Sequence, residues 1–190
     1  MRALPLPRAR EGPGGGRVGR RRFFRLGVAG SIALGAGGLL AWQTSGYEVP
    51  AGVARRLRHL SPKEHCVVSA VGARILRADD GAFPSHDEVE TALALDGLLG
   101  TLHPADRRDL LALLHVIEHA MPPWFGHLGR FTRLGGVAQD EVLEAMRTGS
   151  SGLLRAGFEG LKALVVLAYF SDARTWEAIG YDGPLVGRGA

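Results

Sequence analysis

The sequence predicts an all-α protein, an irregular or orthogonal bundle of about five helices behind an N-terminal signal segment. After residue 60, apolar residues recur at three- and four-residue spacing, which is the period of a helix that buries one face. No stretch sustains the alternation of a strand, and hairpin dipeptides are missing. Capping and helix-breaking residues separate the periodic stretches, so we expect distinct helices around one core.

The N-terminal segment, residues 1–46, has the plan of an export signal followed by a linker. Arginines cluster before residue 26, and residues 26–42 are uncharged and rich in glycine, which is the order of a signal peptide. The pattern resembles a twin-arginine signal, the type that exports folded proteins. The residues that carry this resemblance are Arg20, Arg21, Phe23 and Phe24.

We therefore predict a periplasmic body at 47–190. The uncharged stretch is about as short as a membrane-spanning helix can be, so the leader is either removed or kept as an anchor in the inner membrane. If it is kept, its arginines hold the N-terminus in the cytoplasm.

The charge distribution argues against a nucleic-acid partner. The chain of 190 residues has a formal net charge of +4. Eight arginines and one glutamate lie in the first 25 residues, which leaves 15 basic and 18 acidic residues in the remainder. Binding to phosphates needs a basic face on the folded part, and the excess positive charge belongs to the leader.

Cofactor motifs are also missing from the sequence. Cys66 is the only cysteine, so neither an internal disulfide nor a paired-cysteine haem attachment can form within one chain. The glycines at 14–19 match a dinucleotide-binding pattern in spacing, but they lie in the leader without a strand before them. We predict no cofactor in this chain.

Five helices are predicted in order. The first begins with a capping box at Ser61–Glu64 and ends before the Asp79–Gly81 turn. The second begins with another capping box at Ser85–Glu88 and runs to about Leu99. The third starts at His103–Pro104 and carries a stripe of Leu110, Leu114, Ile117 and Met121 before Pro122 and Pro123 stop it. The fourth covers about 137–146, and the fifth about 151–170.

Residues 163–170 of the fifth helix are uncharged on every face. Such a segment is typical of the centre of a bundle or of a contact between subunits.

One motif suggests metal chemistry. His115, Glu118 and His119 match the H-x-x-E-H pattern, in which two histidines one turn apart bind zinc and the glutamate activates water. This pattern is short, and no third ligand is evident. The alternatives are a zinc-dependent hydrolase or a polar helix flank that a partner covers.

The C-terminal region combines aromatic residues with turn-forming glycines. Tyr169, Trp176 and Tyr181 follow or end the most apolar helix, and Asp172 can cap a short turn. Tyrosine and tryptophan are good interface anchors because they join a large apolar area to a polar group. The alternative is that these rings pack internally as a C-terminal cap.

The chain resembles the gluconate 2-dehydrogenase subunit 3 family. The resemblance is carried by the twin-arginine leader, by Leu60–Glu64 leading to Ala73–Leu76, and by the Trp176, Ile179–Tyr181 and Gly183–Pro184 pattern near the end.

This resemblance implies a non-catalytic small subunit of a periplasmic dehydrogenase. The implied partner is a large subunit of the glucose-methanol-choline (GMC) oxidoreductase type, which holds FAD and oxidises an alcohol or sugar. A cytochrome c subunit is a further expected partner. The small subunit would carry the large one across the membrane and support its assembly. A third hypothesis, a membrane-anchored structural protein, also stays open.

Overall fold

The computed structural model describes residues 46–77 and 81–183 of the chain. The described part is all-α, as predicted, and contains seven α-helices and no strand. The helices are α1 (Ala51–Ala54), α2 (Pro62–Ile75), α3 (Thr91–Leu99), α4 (Pro104–His115), α5 (Met121–Trp124), α6 (Gly136–Thr148) and α7 (Gly152–Phe170). A π-helical turn, Val116–Ala120, joins α4 to α5, and short 3-10 turns lie at Phe131–Arg133, Ala173–Thr175 and Glu177–Ile179.

Helix α2 begins as the sequence predicts. The Ser61 amide donates to the Glu64 carboxylate (2.7 Å), and the Ser61 hydroxyl accepts from the Glu64 amide (3.4 Å), so both halves of the capping box form. Pro62 occupies the first helical position, where its missing N–H costs nothing. The helix ends at Ile75, three residues before the segment 78–80 that lies outside the described residues.

The second predicted helix is shorter than expected. The capping box between Ser85 and Glu88 forms, but one turn later Glu90 adopts a left-handed conformation with φ 48°. The Thr91 amide donates to the His86 carbonyl and the Glu90 amide to the Asp87 carbonyl, which is the pattern of a Schellman motif that ends a helix. A new helix, α3, therefore starts at Thr91.

The core is shared by the longer helices. Helix α7 packs against α3 and α6, and α2 packs against α3 and α4. The predicted stripe of Leu110, Leu114, Ile117 and Met121 is buried, which confirms it as the core face of the third helix. The fourth and fifth predicted helices, α6 and α7, also form within two residues of their predicted ends.

Helix α7 is not buried on every side. Val165, Ala168 and Tyr169 are buried, whereas Ala163 and Leu167 are exposed. The uncharged segment thus supplies the core on one face and leaves an apolar face outside.

A buried carboxylate fastens the segment after α1 to the bundle. Asp96 of α3 accepts hydrogen bonds from the backbone amides of Arg58 (2.9 Å), His59 (2.8 Å) and Leu60 (2.6 Å). A carboxylate that accepts several amides in place of water can be buried at low cost. This contact fixes the direction from which the chain enters α2.

Candidate functional site

The zinc-like motif begins at His115, the last residue of α4, and continues into the π turn at Val116–Ala120. The amide of Met121 donates to the carbonyl of Val116, five residues earlier, which widens the turn. Ile117 and Glu118 are both fully buried. The sequence left two interpretations of the motif open, a zinc site or a polar helix flank, and the complete burial of Glu118 shows that this residue does not lie on an exposed flank.

Glu118 is surrounded by donors from two distant segments. Its Oε1 accepts from the Tyr47 hydroxyl (2.7 Å) and the Thr132 hydroxyl (2.7 Å), and its Oε2 accepts from the Thr132 amide (3.0 Å). The buried Arg130 guanidinium lies 4.0 Å from Oε1. Three hydrogen bonds and one nearby cation replace the water that the carboxylate loses on burial.

The same cluster attaches the start of the described chain to the body. The Arg130 guanidinium lies over the Tyr47 ring at 4.5 Å from its centroid, a cation–π contact. Burial, followed by the hydrogen bond to Glu118, raises the pKa of the Tyr47 hydroxyl well above its usual range. Tyr47 is therefore a neutral donor at ordinary pH, and it holds residues 46–50 against the π turn.

The two histidines of the motif have different surroundings. His115 is half-exposed, and its Nε2 lies 3.5 Å from Glu64 Oε1. His119 is partly buried, and burial together with the nearby Lys63 lowers its pKa. Both oxygens of Glu118 are already occupied, so this carboxylate is not placed to activate a water molecule. Across 46–77 and 81–183, no group of three His, Cys, Asp or Glu side chains could hold a metal ion.

At the C-terminal corner, the structure places the three predicted interface residues in different surroundings. Tyr169 is buried, and its hydroxyl donates to the Pro84 carbonyl (2.6 Å). Trp176 is partly buried, and its indole N–H donates to the Phe170 carbonyl (2.8 Å). Tyr181 is 47% exposed and meets the Trp176 ring edge-on at 5.3 Å. Tyr169 therefore packs fully inside the protein and Trp176 packs there in part. Tyr181 has the largest exposed fraction of the three.

The short turn before Trp176 is capped as predicted. The Asp172 side chain accepts from the Arg174 amide (2.9 Å) and pairs with the Arg174 guanidinium (2.6 Å). These two contacts lower the pKa of Asp172 to about 2. Gly180 and Gly183 have positive φ angles of 65° and 94°, so both predicted tight turns form. Pro184, also part of the predicted pattern, lies outside the described residues.

A more exposed apolar surface lies in the loop after α5. Leu128 is fully exposed, Trp124 is 82% exposed and Phe125 is 42% exposed. Sequence reasoning used this region only as a helix stop. The available signal was the run of two prolines and two aromatics before Gly126, which is unusual for a solvated loop.

The export residues Arg20, Arg21, Phe23 and Phe24 lie outside the described residues. In the part of the chain that the structure describes, no helix is both long and apolar enough to cross a membrane.

The fold gives the structural class of the protein. It is an all-helical domain whose buried carboxylates, Glu118 and Asp96, accept hydrogen bonds from its own chain, and Trp124 and Tyr181 are among its exposed aromatic residues. Residues 62–183 match the family model described as gluconate 2-dehydrogenase subunit 3. Since the match covers more than half of the chain, the protein belongs to this family and is an accessory subunit of a multi-subunit dehydrogenase. Neither a curated protein nor a solved structure matched the chain.

Proposed function

We propose that this chain is the non-catalytic small subunit of a periplasmic GMC-type dehydrogenase that oxidises an alcohol or sugar. In this proposal FAD is held by the large subunit, and a cytochrome c subunit accepts the electrons. The small subunit carries the large one across the inner membrane and supports its assembly. The observation that carries the proposal is the family match, which spans the body from α2 to the C-terminal corner.

The environment of the buried polar residues supports an accessory role. Glu118 is occupied by Tyr47, Thr132 and Arg130, and Asp96 is occupied by three backbone amides. Groups of this kind stabilise a fold when every lone pair is satisfied. In this proposal Glu118 and Asp96 serve the fold, and the catalytic groups belong to the large subunit.

The proposed export role depends on the leader. A twin-arginine signal carries folded cargo, so a flavoprotein that has already bound its cofactor could travel with this chain. The first described residues are attached to the body through Tyr47 and Glu118. The described body is folded and is therefore compatible with this route.

Co-expression with the large subunit tests the assembly role. We expect the two chains to purify together at constant stoichiometry, with the flavin absorbance in the large subunit and none in the small subunit purified alone. A small subunit that stays a separate monomer in the presence of the folded flavoprotein would refute the proposal. So would stoichiometric flavin, haem or zinc in this chain alone.

A leader variant tests the export role. Replacing Arg20 and Arg21 by lysine is expected to leave both subunits and the dehydrogenase activity in the cytoplasmic fraction. The matched control replaces Arg8 and Arg10 by lysine, which makes the same charge-conserving change outside the motif. If both double variants reach the periplasm equally well, the export proposal fails while the assembly proposal stands.

A further inference from the structure

The folded body begins at Gly46, and the peptide bond after this residue has the sequence of a leader-removal site. Export leaders are cut after a small residue, with a second small residue two positions before it. Gly46 and Thr44 form such a pair, and they follow the uncharged stretch at 26–42. Cleavage at this bond would leave Tyr47 as the first residue of the processed chain.

The two residues after this bond are attached to distant parts of the body. The Tyr47 hydroxyl donates to Glu118 Oε1 (2.7 Å), and the guanidinium of Arg130 lies 4.5 Å from the centre of the Tyr47 ring. One residue later, the Cys66 thiol donates to the Glu48 carbonyl, with 3.8 Å between sulfur and oxygen. The chain on the C-terminal side of the bond is therefore held in place.

The residue before the bond does not have the conformation that a protease binds. A peptide that binds in an enzyme groove as an added strand is extended, with φ between about −60° and −160°. Gly46 has φ 81°, in the left-handed region. The guanidinium of Arg133 lies so close to Gly46 that a Cβ atom there would collide with it. Cleavage therefore requires residues 46–50, the N-terminal strap, to leave the body first.

The proposed export route sets the order of folding and cleavage. A twin-arginine leader is used by chains that fold before they cross the membrane, so the N-terminal strap is already docked when it reaches the periplasmic protease. A folded chain is cut through the small fraction of molecules in which the segment has opened. The contacts of Tyr47 lower that fraction, and the cleavage rate falls with it.

We propose that the Gly46–Tyr47 bond is the processing site of this chain, and that docking of Tyr47 on Glu118 delays its hydrolysis. This inference rests on the export part of the proposed function. In the reaction, water adds across the amide: the Gly46 carbonyl carbon becomes a carboxylate, and the Tyr47 nitrogen becomes a new α-ammonium group. Until the N-terminal strap opens, the leader stays joined to the folded body and keeps it at the inner membrane.

The test follows cleavage of the purified full chain, in detergent micelles, by a purified bacterial signal peptidase. Intact-mass spectrometry measures the fraction cut against time and identifies the new N-terminus. Tyr47→Phe keeps an aromatic ring beside the bond and loses only the hydroxyl. Because that hydroxyl donates to a charged acceptor, we expect Tyr47→Phe to be cut about 10-fold faster than the parent chain.

The matched control is Thr132→Val, which removes another hydroxyl that donates to Glu118 Oε1, also at 2.7 Å. This variant weakens the surroundings of the same carboxylate but leaves the Tyr47 hydroxyl in place. We expect its cleavage rate to stay close to that of the parent chain. Equal acceleration in Thr132→Val and Tyr47→Phe would mean that a general loss of stability exposes the bond, and this inference would fail.

The remaining outcomes separate this inference from the proposed function. A parent chain that is cut as fast as Tyr47→Phe would show that docking does not delay hydrolysis. A product that begins at a residue other than Tyr47, or no product from either chain, would show that this bond is not the processing site. The assay contains neither the large subunit nor the export machinery, so all these results leave the proposed function standing. A parent chain that stays in the cytoplasm of cells, like the Arg20 and Arg21 double variant, would instead refute the export proposal and this inference with it.

Discussion

Two neighbouring stretches of this chain place polar and apolar residues in opposite ways. In the π turn, the charged residue Glu118 is fully buried, whereas a few residues later Trp124 and Leu128 are exposed. From polarity alone, Glu118 would be expected at the surface, and Trp124 and Leu128 in the core. The difference shows that the surroundings decide burial: Glu118 has hydrogen-bond partners within its own chain, whereas Trp124 and Leu128 keep most of their surface in solvent.

The buried π turn is connected by hydrogen bonds to the segment that follows the exposed loop. Tyr47 and Thr132 donate to Glu118, and Arg130 supplies the nearby cation. These contacts hold together the N-terminal segment, the π turn and the far end of the loop. The interior cluster therefore fixes both ends of the segment that carries Trp124 and Leu128.

The largest expected effect comes from disrupting the interior cluster. Glu118→Gln removes the negative charge beside the buried Arg130. It also replaces one of the two carboxylate oxygens, which accept hydrogen bonds from Thr132, by an NH2 group that can only donate. Because breaking a buried ion pair leaves its other charge uncompensated, we expect a loss of about 3 to 5 kcal/mol in the free energy of unfolding. Urea unfolding of the purified chain measures it.

A substitution at the exposed Trp124 should have a much smaller effect on the free energy of unfolding. Trp124→Ala should change the free energy of unfolding by less than about 0.5 kcal/mol, as is usual for an exposed side chain. If Glu118→Gln proves as mild as Trp124→Ala, the interior cluster does not stabilise the fold.

An intermediate effect is expected at the C-terminal corner. Trp176→Ala removes a partly buried ring, its hydrogen bond to Phe170 and its contact with Tyr181. We expect a loss of roughly 2 kcal/mol in unfolding free energy, less than for a fully buried tryptophan. Thermal unfolding of the isolated chain measures it.

Binding to the large subunit then separates the two interpretations of Trp176. Trp176→Phe is the matched control, since it keeps an aromatic ring without the indole N–H. If Trp176→Ala leaves the stability of the isolated chain intact but abolishes binding, the ring belongs to the interface and not to the internal cap.

A smaller effect is expected from the N-terminal attachment. Tyr47→Phe keeps the ring under Arg130 but removes the hydroxyl that donates to Glu118. The loss of one hydrogen bond to a charged acceptor should cost about 1 to 2 kcal/mol. Hydrogen exchange of the amides near residues 46–50 should rise more than that of α7.

The pH dependence of this pair has a definite sign. The pKa of Tyr47 is raised in the folded state from its usual value of 10.0. Its contribution to stability is therefore present below about pH 10 and declines as the pH rises above that value, where the unfolded chain loses the proton more readily. The advantage of the parent chain over Tyr47→Phe should shrink in that range; an advantage that grows there would contradict the assignment.

Local signals in the sequence predicted the helices well. The predicted caps at Ser61 and Asp172 form because each depends on a side chain and an amide two or three residues away. The apolar stripe of α4 also follows from spacing within one helix. One prediction from local signals was wrong, namely that a single helix runs from Ser85 to about Leu99. The capping box at Ser85 forms, but the left-handed conformation of Glu90 ends that turn, and the helix begins only at Thr91.

The functional surfaces were harder to predict because they depend on distant contacts. Tyr47 lies 71 residues from Glu118 in sequence, and no periodicity links them. Neither the π turn nor the complete burial of Glu118 can be deduced from a five-residue motif. The exposure of Trp124 is likewise a result of packing, since the same residues could have filled a core. The family resemblance, in contrast, was recognisable from short motifs, and the family match confirms it.

The smallest effect that we predict tests the cap at the C-terminal corner. Asp172→Asn keeps an oxygen that can accept from the Arg174 amide but loses the charge that pairs with its guanidinium. The pKa of Asp172 falls from 3.8 to about 2 in the folded state. A carboxyl whose pKa is depressed stabilises the fold above its unfolded pKa, and this contribution is lost as the pH falls through the folded value.

The parent chain should therefore be slightly more stable than Asp172→Asn at neutral pH, and the two should become equal between about pH 4 and pH 2. Urea unfolding across this range measures the difference, and Asp172→Ala serves as a control that also removes the cap. If the difference between the parent and Asp172→Asn persists unchanged at pH 2, the charge of Asp172 is not its cause. The corner would then be held by hydrogen bonds alone. In this it would differ from the interior cluster, where the Glu118 carboxylate also lies beside the buried cation of Arg130.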